Sequence, residues 1–508
     1  MFTIKKSKIG PLHTLTITEL EKLLVSVDEA TWLSRGRQRA LVQATTMAAS
    51  VPAYRSVLAR SGIDPASIDE LGLESLPILD KDSYLRHFQR SDLFYGGTMA
   101  GQQWTISTTS GSSGEPYYFP RTAVQDRQYA QSAELYLRNN FKIHKRSTLY
   151  IVAFPMGAWI GGVFTYEAIR RVAESGLYNL SIITPGINKI EVIKAIQNLA
   201  SDYDQVIIGS YAPFLKDIID DGIRAGLDWK AYNLGFIFSA EGFSEVFRDY
   251  VIDRTGLEEP FHSSLNHYGT VDLGTMSHET PLAIFIRRMA LARPELYQEI
   301  FGQVTKLPTL TQYLPEQFFF ENKGLNLYCS AESGIPLVRY DLKDHGGIIR
   351  LTEMEAIFAR FDIDLRAEAA VAGITSIWNL PFVYVYERSD FSVSYYAFQV
   401  YPQTIRHALQ RATFADLVTG KFSMLVEFDA DGLQQLIIHI ELKSGIKESK
   451  DLDHDVNDAI SAGLRHDSSE YNIVYEMYGD VVRPKLHYWE YEDETHFKPG
   501  TKQKWVKK

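Results

Sequence analysis

Residues 148–154 read TLYIVAF, and similar short runs follow at 180–184 (LSIIT), 205–209 (QVIIG) and 234–239 (LGFIFS). These runs are rich in β-branched and aromatic residues, as strands are, and the third is followed by a helix-like segment, YAPFLKDIIDDGI, at 211–223. Strands that alternate with helices are typical of a parallel sheet covered by helices. The alternation therefore predicts an α/β fold.

The two ends of the chain have different patterns. Residues 16–62 have apolar positions spaced by three and four, which predicts helices, with breaks at Pro52 and Gly62. After about Arg388 the pattern changes again. It predicts a helix (PQTIRHALQRA), two strands that face each other across a DADG turn (KFSMLVEF and LQQLIIHIELK), and a second helix (DLDHDVNDAISAGL). This part of the chain therefore predicts a small α+β unit with its own core.

Composition excludes several classes of protein. The chain has 508 residues, of which 45% are hydrophobic and 23% charged, as in folded globular proteins of more than one packed unit. A formal net charge of −11 argues against nucleic acid or an anionic membrane as the main partner. One cysteine, Cys329, excludes an internal disulfide. Because no secretory pattern and no run of ~20 apolar residues is present, we expect a cytoplasmic location.

A run of hydroxyl-bearing residues precedes the predicted sheet. Residues 108–116 read TTSGSSGEP, with five hydroxyls and two glycines. Such a segment offers side-chain and backbone donors that can wrap phosphate oxygens, although taken alone it is equally typical of a solvated linker. No Gly-Lys-Ser/Thr follows, so this is not the phosphate loop of the P-loop NTPases.

Five further segments carry side chains that can bind a ligand or take part in catalysis. They read SAEG at 239–242, NHYGTVD at 266–272, PLVRYDLKDHGG at 336–347, ERSD at 387–390 and KPGTKQKW at 498–505. The first directly follows an apolar strand, where parallel sheets present ligand-binding loops. The second holds an aromatic ring that can stack on a base and a carboxylate that can hold Mg²⁺. Each alone also has an ordinary structural explanation, such as packing at a turn or a solvated chain end.

The order and spacing of these segments resemble the adenylate-forming superfamily, and most closely its phenylacetate–CoA ligase-like branch. TTSGSSGEP resembles that family's phosphate loop, SAEG its adenine-contacting segment and HYGTVD its aromatic-Gly…acid motif. PLVRYDLKD resembles the ribose motif, ERSD the hinge, and TKQKW the Gly-Lys-x-x-Arg end that carries the catalytic lysine. The resemblance covers roughly residues 37–508.

This resemblance implies two domains and a set of site residues. It implies an N-terminal domain (1–388) that binds ATP and the acyl substrate, a hinge at Asp390, and a mobile C-terminal lid (391–508). The implied catalytic residues are Lys502, Thr109 and Ser110, and Asp272 is the implied metal contact. The implied nucleotide-binding residues are Thr108, Thr109, Ser110, Gly111, Ser112, Ser113, Gly114, Ser239, Ala240, Glu241, Gly242, His267, Tyr268, Gly269, Thr270, Asp344 and Arg388. The acyl pocket is expected to include Trp159, Gly161, Gly162 and Phe164.

The resemblance also implies the reaction. A carboxylate attacks the α-phosphorus of ATP and releases pyrophosphate, and a thiol, coenzyme A, then takes the acyl group to give a thioester and AMP. Catalysis of the first step is mainly alignment and neutralisation of negative charge. ATP, Mg²⁺ and coenzyme A are therefore the expected cofactors and co-substrates, and a small carboxylic acid is the expected partner, with no nucleic acid and no membrane.

Four departures from the family pattern leave alternatives open. Asp272 stands where the family usually has glutamate, Lys343 and Thr501 where it has glycine, and Trp505 where it has arginine. A diverged member could transfer the acyl group to an amine or to the phosphopantetheine of a carrier protein. The same departures suggest an inactive nucleotide-binding homologue, whereas retention of Lys502 and the hydroxyl loop argues against one.

Overall fold

The computed structural model describes residues 10–108, 117–158, 160–239, 242–302, 308–386, 393–395, 398–428, 434–499 and 505–506. Its α-helices are α1 (Ile17–Ser26), α2 (Glu29–Ser50), α3 (Pro52–Arg60), α4 (Ile68–Leu71), α5 (Ala123–Asn139), α6 (Ile160–Glu174), α7 (Lys189–Leu199), α8 (Ala212–Arg224), α9 (Glu245–Thr255), α10 (Pro281–Leu291), α11 (Pro294–Phe301), α12 (Leu351–Ala359), α13 (Leu365–Val371), α14 (Pro402–Leu409), α15 (Lys450–Asp467) and α16 (Ser469–Tyr478).

The strands of the larger part of the chain are β1 (Thr105–Thr108), β2 (Tyr118–Arg121), β3 (Thr148–Ala153), β4 (Leu180–Ile183), β5 (Gln205–Ser210), β6 (Leu234–Phe238), β7 (Ser264–Thr270), β8 (Gly274–His278), β9 (Thr309–Gln312), β10 (Phe318–Lys323), β11 (Asn326–Ala331), β12 (Leu337–Ile349) and β13 (Phe382–Tyr386). Those that follow are β14 (Val393–Tyr395), β15 (Phe398–Val400), β16 (Val418–Phe428), β17 (Gln434–Leu442) and β18 (Lys485–Trp489).

The N-terminal helices begin where the sequence supplies caps. The side chain of Thr16 accepts a hydrogen bond from the backbone of Glu19, and the Glu19 carboxylate accepts one from the backbone of Thr16, so α1 starts with a capping box. Asp28 caps α2, and Pro52 occupies the first turn of α3, where its missing N–H costs nothing. The predicted helical lead-in is confirmed.

A mixed sheet forms the centre of the larger part of the chain. Among the described residues it has eleven strands in the order β10-β11-β12-β13-β9-β8-β7-β6-β5-β3-β4. The strands from β4 to β7 are parallel to their neighbours, which confirms the α/β prediction. The remaining pairs, from β7 to β10, are antiparallel. The alternation of strands and helices in the sequence predicts only the parallel half of this sheet.

The parallel strands are covered on both faces. Leu149 and Ile151 of β3 pack in one cluster with residues of α7 and α8, such as Ile196. Tyr150 and Val152 point the other way, into a cluster with α5 and α6. Every residue of β3, β5 and β6 is buried, which explains why these strands are continuous apolar runs rather than alternating ones.

A separate small sheet follows in the C-terminal part. β16 and β17 are antiparallel and β18 lies parallel to β17, with α14 and α15 packed against each other nearby. The hydrophobic cluster of this unit draws all its buried members from Val393 onward, Ile405, Phe422 and Trp505 among them. The predicted α+β unit with its own core is confirmed. No helix in the described part of the chain is long and apolar enough to span a membrane.

Candidate functional site

Two of the predicted nucleotide-binding residues are directly bonded. Tyr268 lies near the end of β7, and its hydroxyl donates to Oδ2 of Asp344 on β12 at 2.8 Å. Both residues are 8% exposed. The bond joins segments that are 76 residues apart in sequence and places an aromatic ring beside a carboxylate at one place on the large sheet.

A second tyrosine–aspartate pair links the same two segments. The hydroxyl of Tyr340, on β12, donates to Oδ2 of Asp272 at 2.6 Å. Burial, and then the neighbouring Asp272 charge, raise the pKa of Tyr340 well above its ordinary value, so the phenol stays protonated and can donate. Asp272, the predicted metal contact, is thus held by Tyr340, which is not among the predicted site residues.

The turn between β7 and β8 requires small residues. A Cβ on Gly269 would lie 2.5 Å from the carbonyl oxygen of Gly274, so no side chain fits there. Gly274 itself has a φ of +82°, a conformation that glycine adopts without strain. Thr270 steadies the turn, since its Oγ1 accepts from the backbone N–H of Leu273 at 3.2 Å. The exposed backbone at Gly269 therefore lies next to the Tyr268 ring.

His267 lies on the opposite face of β7 from Tyr268, because successive side chains of a strand alternate. Its ring centroid is 4.8 Å from that of Tyr136, on α5. Burial lowers its pKa to about 3, and burial also lowers the pKa of the nearby His278 to about 3. Both rings are therefore neutral at physiological pH, and His267 forms part of the layer beneath the sheet.

The described residues of the predicted acyl pocket come together at the start of α6. A Cβ on Gly162 would lie 2.4 Å from the carbonyl oxygen of Pro155, so glycine allows the helix to begin against the preceding loop. Phe164 is buried one turn into the helix, and its ring stacks on Tyr129 with centroids 4.3 Å apart. The Phe164 ring also faces Gly274, because a Cβ there would lie 3.0 Å from it. The start of α6 and the turn between β7 and β8 are thus neighbours.

A buried cation lies between this segment and the two short strands β1 and β2. The guanidinium of Arg121 is 4.9 Å from the centre of the Phe164 ring. It pairs with Asp126 at 3.0 Å and donates to Oγ of Ser107 at 2.7 Å. Ser107 and Arg121 belong to β1 and β2, the strands before and after residues 109–116 in sequence, so this cluster joins those two strands.

The other predicted nucleotide contacts lie at strand ends or beyond. The backbone N–H of Thr108 donates to the carbonyl of Ala158 at 2.9 Å, which joins the end of β1 to the loop before α6. Ser239 follows β6, and Gly242 packs close to Thr309. The remaining predicted residues lie outside the described ones; they are Thr109, Ser110, Gly111, Ser112, Ser113, Gly114, Trp159, Ala240, Glu241, Arg388, Asp390 and Lys502.

Charged side chains from both parts of the chain meet at α8. Nζ of Lys421, on β16, lies 2.5 Å from Oδ2 of Asp217 and 3.2 Å from Oε2 of Glu441. Nζ of Lys443 lies 2.6 Å from Oδ2 of Asp220. All five residues are less than 10% exposed. We call the Lys421–Asp217 and Lys443–Asp220 pairs the α8 ion pairs.

The electrostatics of these pairs favour the charged forms of Lys421 and Asp220. Burial alone would lower the pKa of Lys421, but the charges of Asp217 and Glu441 outweigh it and raise the pKa above its ordinary value. Burial would raise the pKa of Asp220, but Lys216 and Lys443 lower it. Sequence reasoning missed this contact, because the partners are about 200 residues apart and no local pattern marks them.

The groups at the Tyr268–Asp344 bond are suited to a nucleoside. A carboxylate such as that of Asp344 suits ribose hydroxyls, and the Tyr268 ring beside the exposed Gly269 backbone suits a base. Asp272 offers the oxygen ligand that Mg²⁺ prefers. Within the described ranges, no three histidine, cysteine, aspartate or glutamate side chains are grouped to hold a metal ion. A bound Mg²⁺ would therefore also need oxygens from ATP phosphates or water.

Comparison with family models gave no match to this sequence, and comparison with curated proteins gave none either. Solved structures do match. A 2-hydroxyisobutyryl-CoA ligase in the postadenylation state, in complex with R3-HIB-AMP, has a TM-score of 0.64 at 13% identity, over 98% of this chain and 94% of that one. The same ligase with 2-HIB-AMP and CoA, in the thioesterification state, has a TM-score of 0.53 at 13% identity, over 95% and 91%.

A third match is the acyl acid amido synthetase AtGH3.15 in complex with 2,4-DB. Its TM-score is 0.55 at 11% identity, over 94% of this chain and 89% of that one. In each case the match spans the large mixed sheet and the small C-terminal sheet together, because it covers nearly the whole of both chains. The chain therefore has the fold of the adenylate-forming enzymes.

Proposed function

We propose that this chain uses ATP to activate a carboxylic acid as its acyl-adenylate and then transfers the acyl group to a thiol, coenzyme A. The observation that carries the proposal is the Tyr268–Asp344 bond. It joins two segments that resemble nucleotide motifs, and it does so in a chain with the adenylate-forming fold. We place the enzyme with the phenylacetate–CoA ligase-like branch on the motifs at 108–116 and 498–505.

The residues divide into three roles. The Tyr268 ring and the Asp344 carboxylate hold the nucleoside, with Ser239 and Gly242 at the neighbouring strand end. The hydroxyls and N–H groups of residues 108–114 surround the phosphates, and Lys502 neutralises charge that develops at the α-phosphorus. The acyl group lies against Phe164 and the glycines at the start of α6. Mg²⁺, when bound near Asp272, supplies further positive charge to the phosphates.

The domain arrangement supports adenylation as the step served by this conformation. We propose that residues 1–388 form the binding domain and residues 391–508 the lid. Overlap is greater with the 2-hydroxyisobutyryl-CoA ligase in its postadenylation state (TM-score 0.64) than with the same ligase in its thioesterification state (0.53). The α8 ion pairs hold the lid in this position, and thiol attack then requires that they separate.

A second candidate keeps the adenylate and changes the acceptor to an amine. The likeness to an acyl acid amido synthetase, at a TM-score of 0.55, favours it. The two acceptors differ in the second half-reaction only. A carrier-protein phosphopantetheine would behave as a thiol.

The test is a pyrophosphate-release assay over a panel of aliphatic and aromatic carboxylic acids, with ATP and Mg²⁺. We expect acid-dependent release that increases when coenzyme A is added. Stimulation by amino acids but not by coenzyme A would instead support the amide-forming candidate. ATP binding without release for every acid would support an inactive homologue and overturn the proposal.

A further inference from the structure

Arg406 connects the small unit of the chain to the large one. It lies on α14 in the small unit and is 6% exposed. Its Nη1 donates to the carbonyl oxygen of Gly242 in the large unit at 3.0 Å. Gly242 is the last residue of the SAEG segment that follows β6. One end of the guanidinium is therefore bonded to the backbone of the predicted adenine-contacting segment.

The same guanidinium lies over Trp505, with its central carbon 4.4 Å from the ring centre. A cation over an indole face is attracted by the ring, and the attraction increases when both groups are removed from water. Trp505 is 6% exposed and three residues beyond Lys502. Arg406 thus touches the anchor of the tail that carries the proposed catalytic lysine.

Trp505 is firmly attached to the small sheet. Its carbonyl oxygen accepts from the backbone N–H of Met424 at 2.8 Å, and Val506 forms a single parallel β-bridge with Met424. The Trp505 ring also packs on Phe422 with centroids 4.7 Å apart. The residue that replaces the family's arginine therefore has a structural role of its own, as the point where the tail joins the sheet.

We propose that Arg406 is a positioning residue for adenylate formation. By holding Gly242 and Trp505 together, it sets the distance between the adenine side of the nucleotide site and the tail that carries Lys502. A second contact across the same boundary, from the Ser244 hydroxyl to the side chain of Gln410, lies beside it. In this role Arg406 acts through Gly242 and Trp505, and its contact with Gly242 exists only while the lid is docked. This inference rests on the proposed function.

The consequence differs between the two half-reactions. Adenylation needs the Lys502 tail in place, whereas thiol attack follows after the lid has left this position. Loss of Arg406 should therefore lower the rate of the first half-reaction and leave the second largely intact. It should also affect kcat more than KM for ATP, because the nucleotide contacts of the large domain remain.

The test compares Arg406→Met, Arg406→Lys and a matched control, Arg465→Met. Arg465 also lies over an aromatic ring of the small unit, Tyr475 at 4.6 Å, but the contact stays within that unit. We expect Arg406→Met to slow ATP–pyrophosphate exchange about 10- to 100-fold, which is the loss of one hydrogen bond from a charged donor. The control should exchange at the wild-type rate. Arg406→Lys should recover part of the loss, because an ammonium can still donate to Gly242 or lie over Trp505. All three variants should react normally with supplied acyl-adenylate and coenzyme A.

Hydrogen exchange provides a readout that does not depend on activity. Peptides covering 242–250 and 420–426 should exchange faster in Arg406→Met and not in Arg465→Met. The first peptide contains Gly242, which accepts from Arg406, and the peptide 420–426 contains the Met424 amide that donates to Trp505. If the wild type shows no pyrophosphate exchange with any acid, the proposed function fails, and hydrogen exchange still decides whether Arg406 joins the two segments. Unchanged exchange of both peptides in Arg406→Met overturns the inference. Equal slowing of both half-reactions overturns it as well, since Arg406 would then act on the fold in general.

Discussion

The Tyr268 hydroxyl donates to Asp344 at 2.8 Å, so the aromatic residue of one motif orients the carboxylate of another. A hydrogen bond to a charged acceptor contributes about 1.5–3 kcal/mol when it is buried. The carboxylate is thereby fixed before any nucleotide arrives. Part of the affinity for ATP should consequently depend on a tyrosine hydroxyl that need not touch the nucleotide.

The first prediction concerns this bond. Tyr268→Phe keeps the ring and removes the donor, so ATP affinity should fall about 10-fold, corresponding to ~1.4 kcal/mol. Asp344→Ala should weaken ATP more strongly and leave the affinity for the carboxylic acid almost unchanged. Titration calorimetry with ATP and with the acid measures both. Tyr178→Phe is the matched control for loss of a phenol bonded to a carboxylate, because its hydroxyl donates to Glu134, outside the segments assigned to the nucleotide. Equal losses for ATP and acid in Asp344→Ala would show that Asp344 is structural.

The second prediction separates the half-reactions with residues outside the described part of the chain. Lys502→Ala should lower adenylate formation roughly 100- to 1,000-fold, as when one donor to the developing charge is removed. The same variant should still convert supplied acyl-adenylate to the thioester. Asp390→Pro should do the reverse, because a fixed φ hinders rotation at the hinge. Equal impairment of both half-reactions in both variants would contradict the two-position mechanism.

The third prediction concerns the α8 ion pairs. Removing one partner of a buried pair typically costs about 3–5 kcal/mol, because the other charge is left in a poor environment. In Lys421→Met, the lid can relieve this cost by undocking and exposing Asp217 to water. We expect a larger radius of gyration by small-angle X-ray scattering and slower adenylation.

Arg254→Met is the control for Lys421→Met. Arg254 also reaches across the boundary, to Asp416 at 2.7 Å, but the carboxylate side chain is 78% exposed. Exposed pairs contribute about 0–1 kcal/mol, so this variant should scatter as the wild type does. An unchanged radius of gyration in Lys421→Met would show that other contacts hold the lid.

The fourth prediction concerns acid stability. Burial lowers the pKa of His267 and of His278 to about 3, whereas an unfolded histidine titrates near 6.5. The unfolded state therefore binds more protons between these values. The stability that depends on neutral histidines is fully present above pH ~6.5 and is lost as the pH falls towards 3. At pH 5 each should cost about 2 kcal/mol of unfolding free energy.

Urea unfolding at pH 7.5 and pH 5 tests this. The difference between the two pH values should be smaller by about 2 kcal/mol in His278→Gln than in the wild type. His454→Gln is the control, because that side chain is 69% exposed. If the unfolding free energy of His278→Gln fell between pH 7.5 and pH 5 by as much as that of the wild type, the His278 ring would have to protonate in the folded state.

The parallel half of the sheet was predictable because β3, β5 and β6 are continuous apolar runs, a pattern that burial on both faces produces. The antiparallel half was harder to predict. β12 alternates between buried and partly exposed positions and carries Arg339, Asp341 and Lys343. Such alternation is typical of a strand, but it does not tell which strands pair with it or in which direction.

The candidate site shows the same division. Tyr268 and Asp344 were identified because they belong to recognisable segments, and the structure brings them together. Arg406 and Lys421 were not, because their partners Gly242 and Asp217 are distant in sequence and only the packed domains reveal them. Contacts between domains leave no periodic signal in either segment.

Cys329, the single cysteine, lies on β11 with no exposed surface, and burial raises the pKa of its thiol well above the ordinary value. A thiol that is both inaccessible and protonated reacts slowly with maleimides. The chain can therefore carry introduced cysteines without removal of the native one. Dyes at Ala49→Cys on α2 and Asp455→Cys on α15, both exposed positions, would report the separation of the two units in single molecules during turnover.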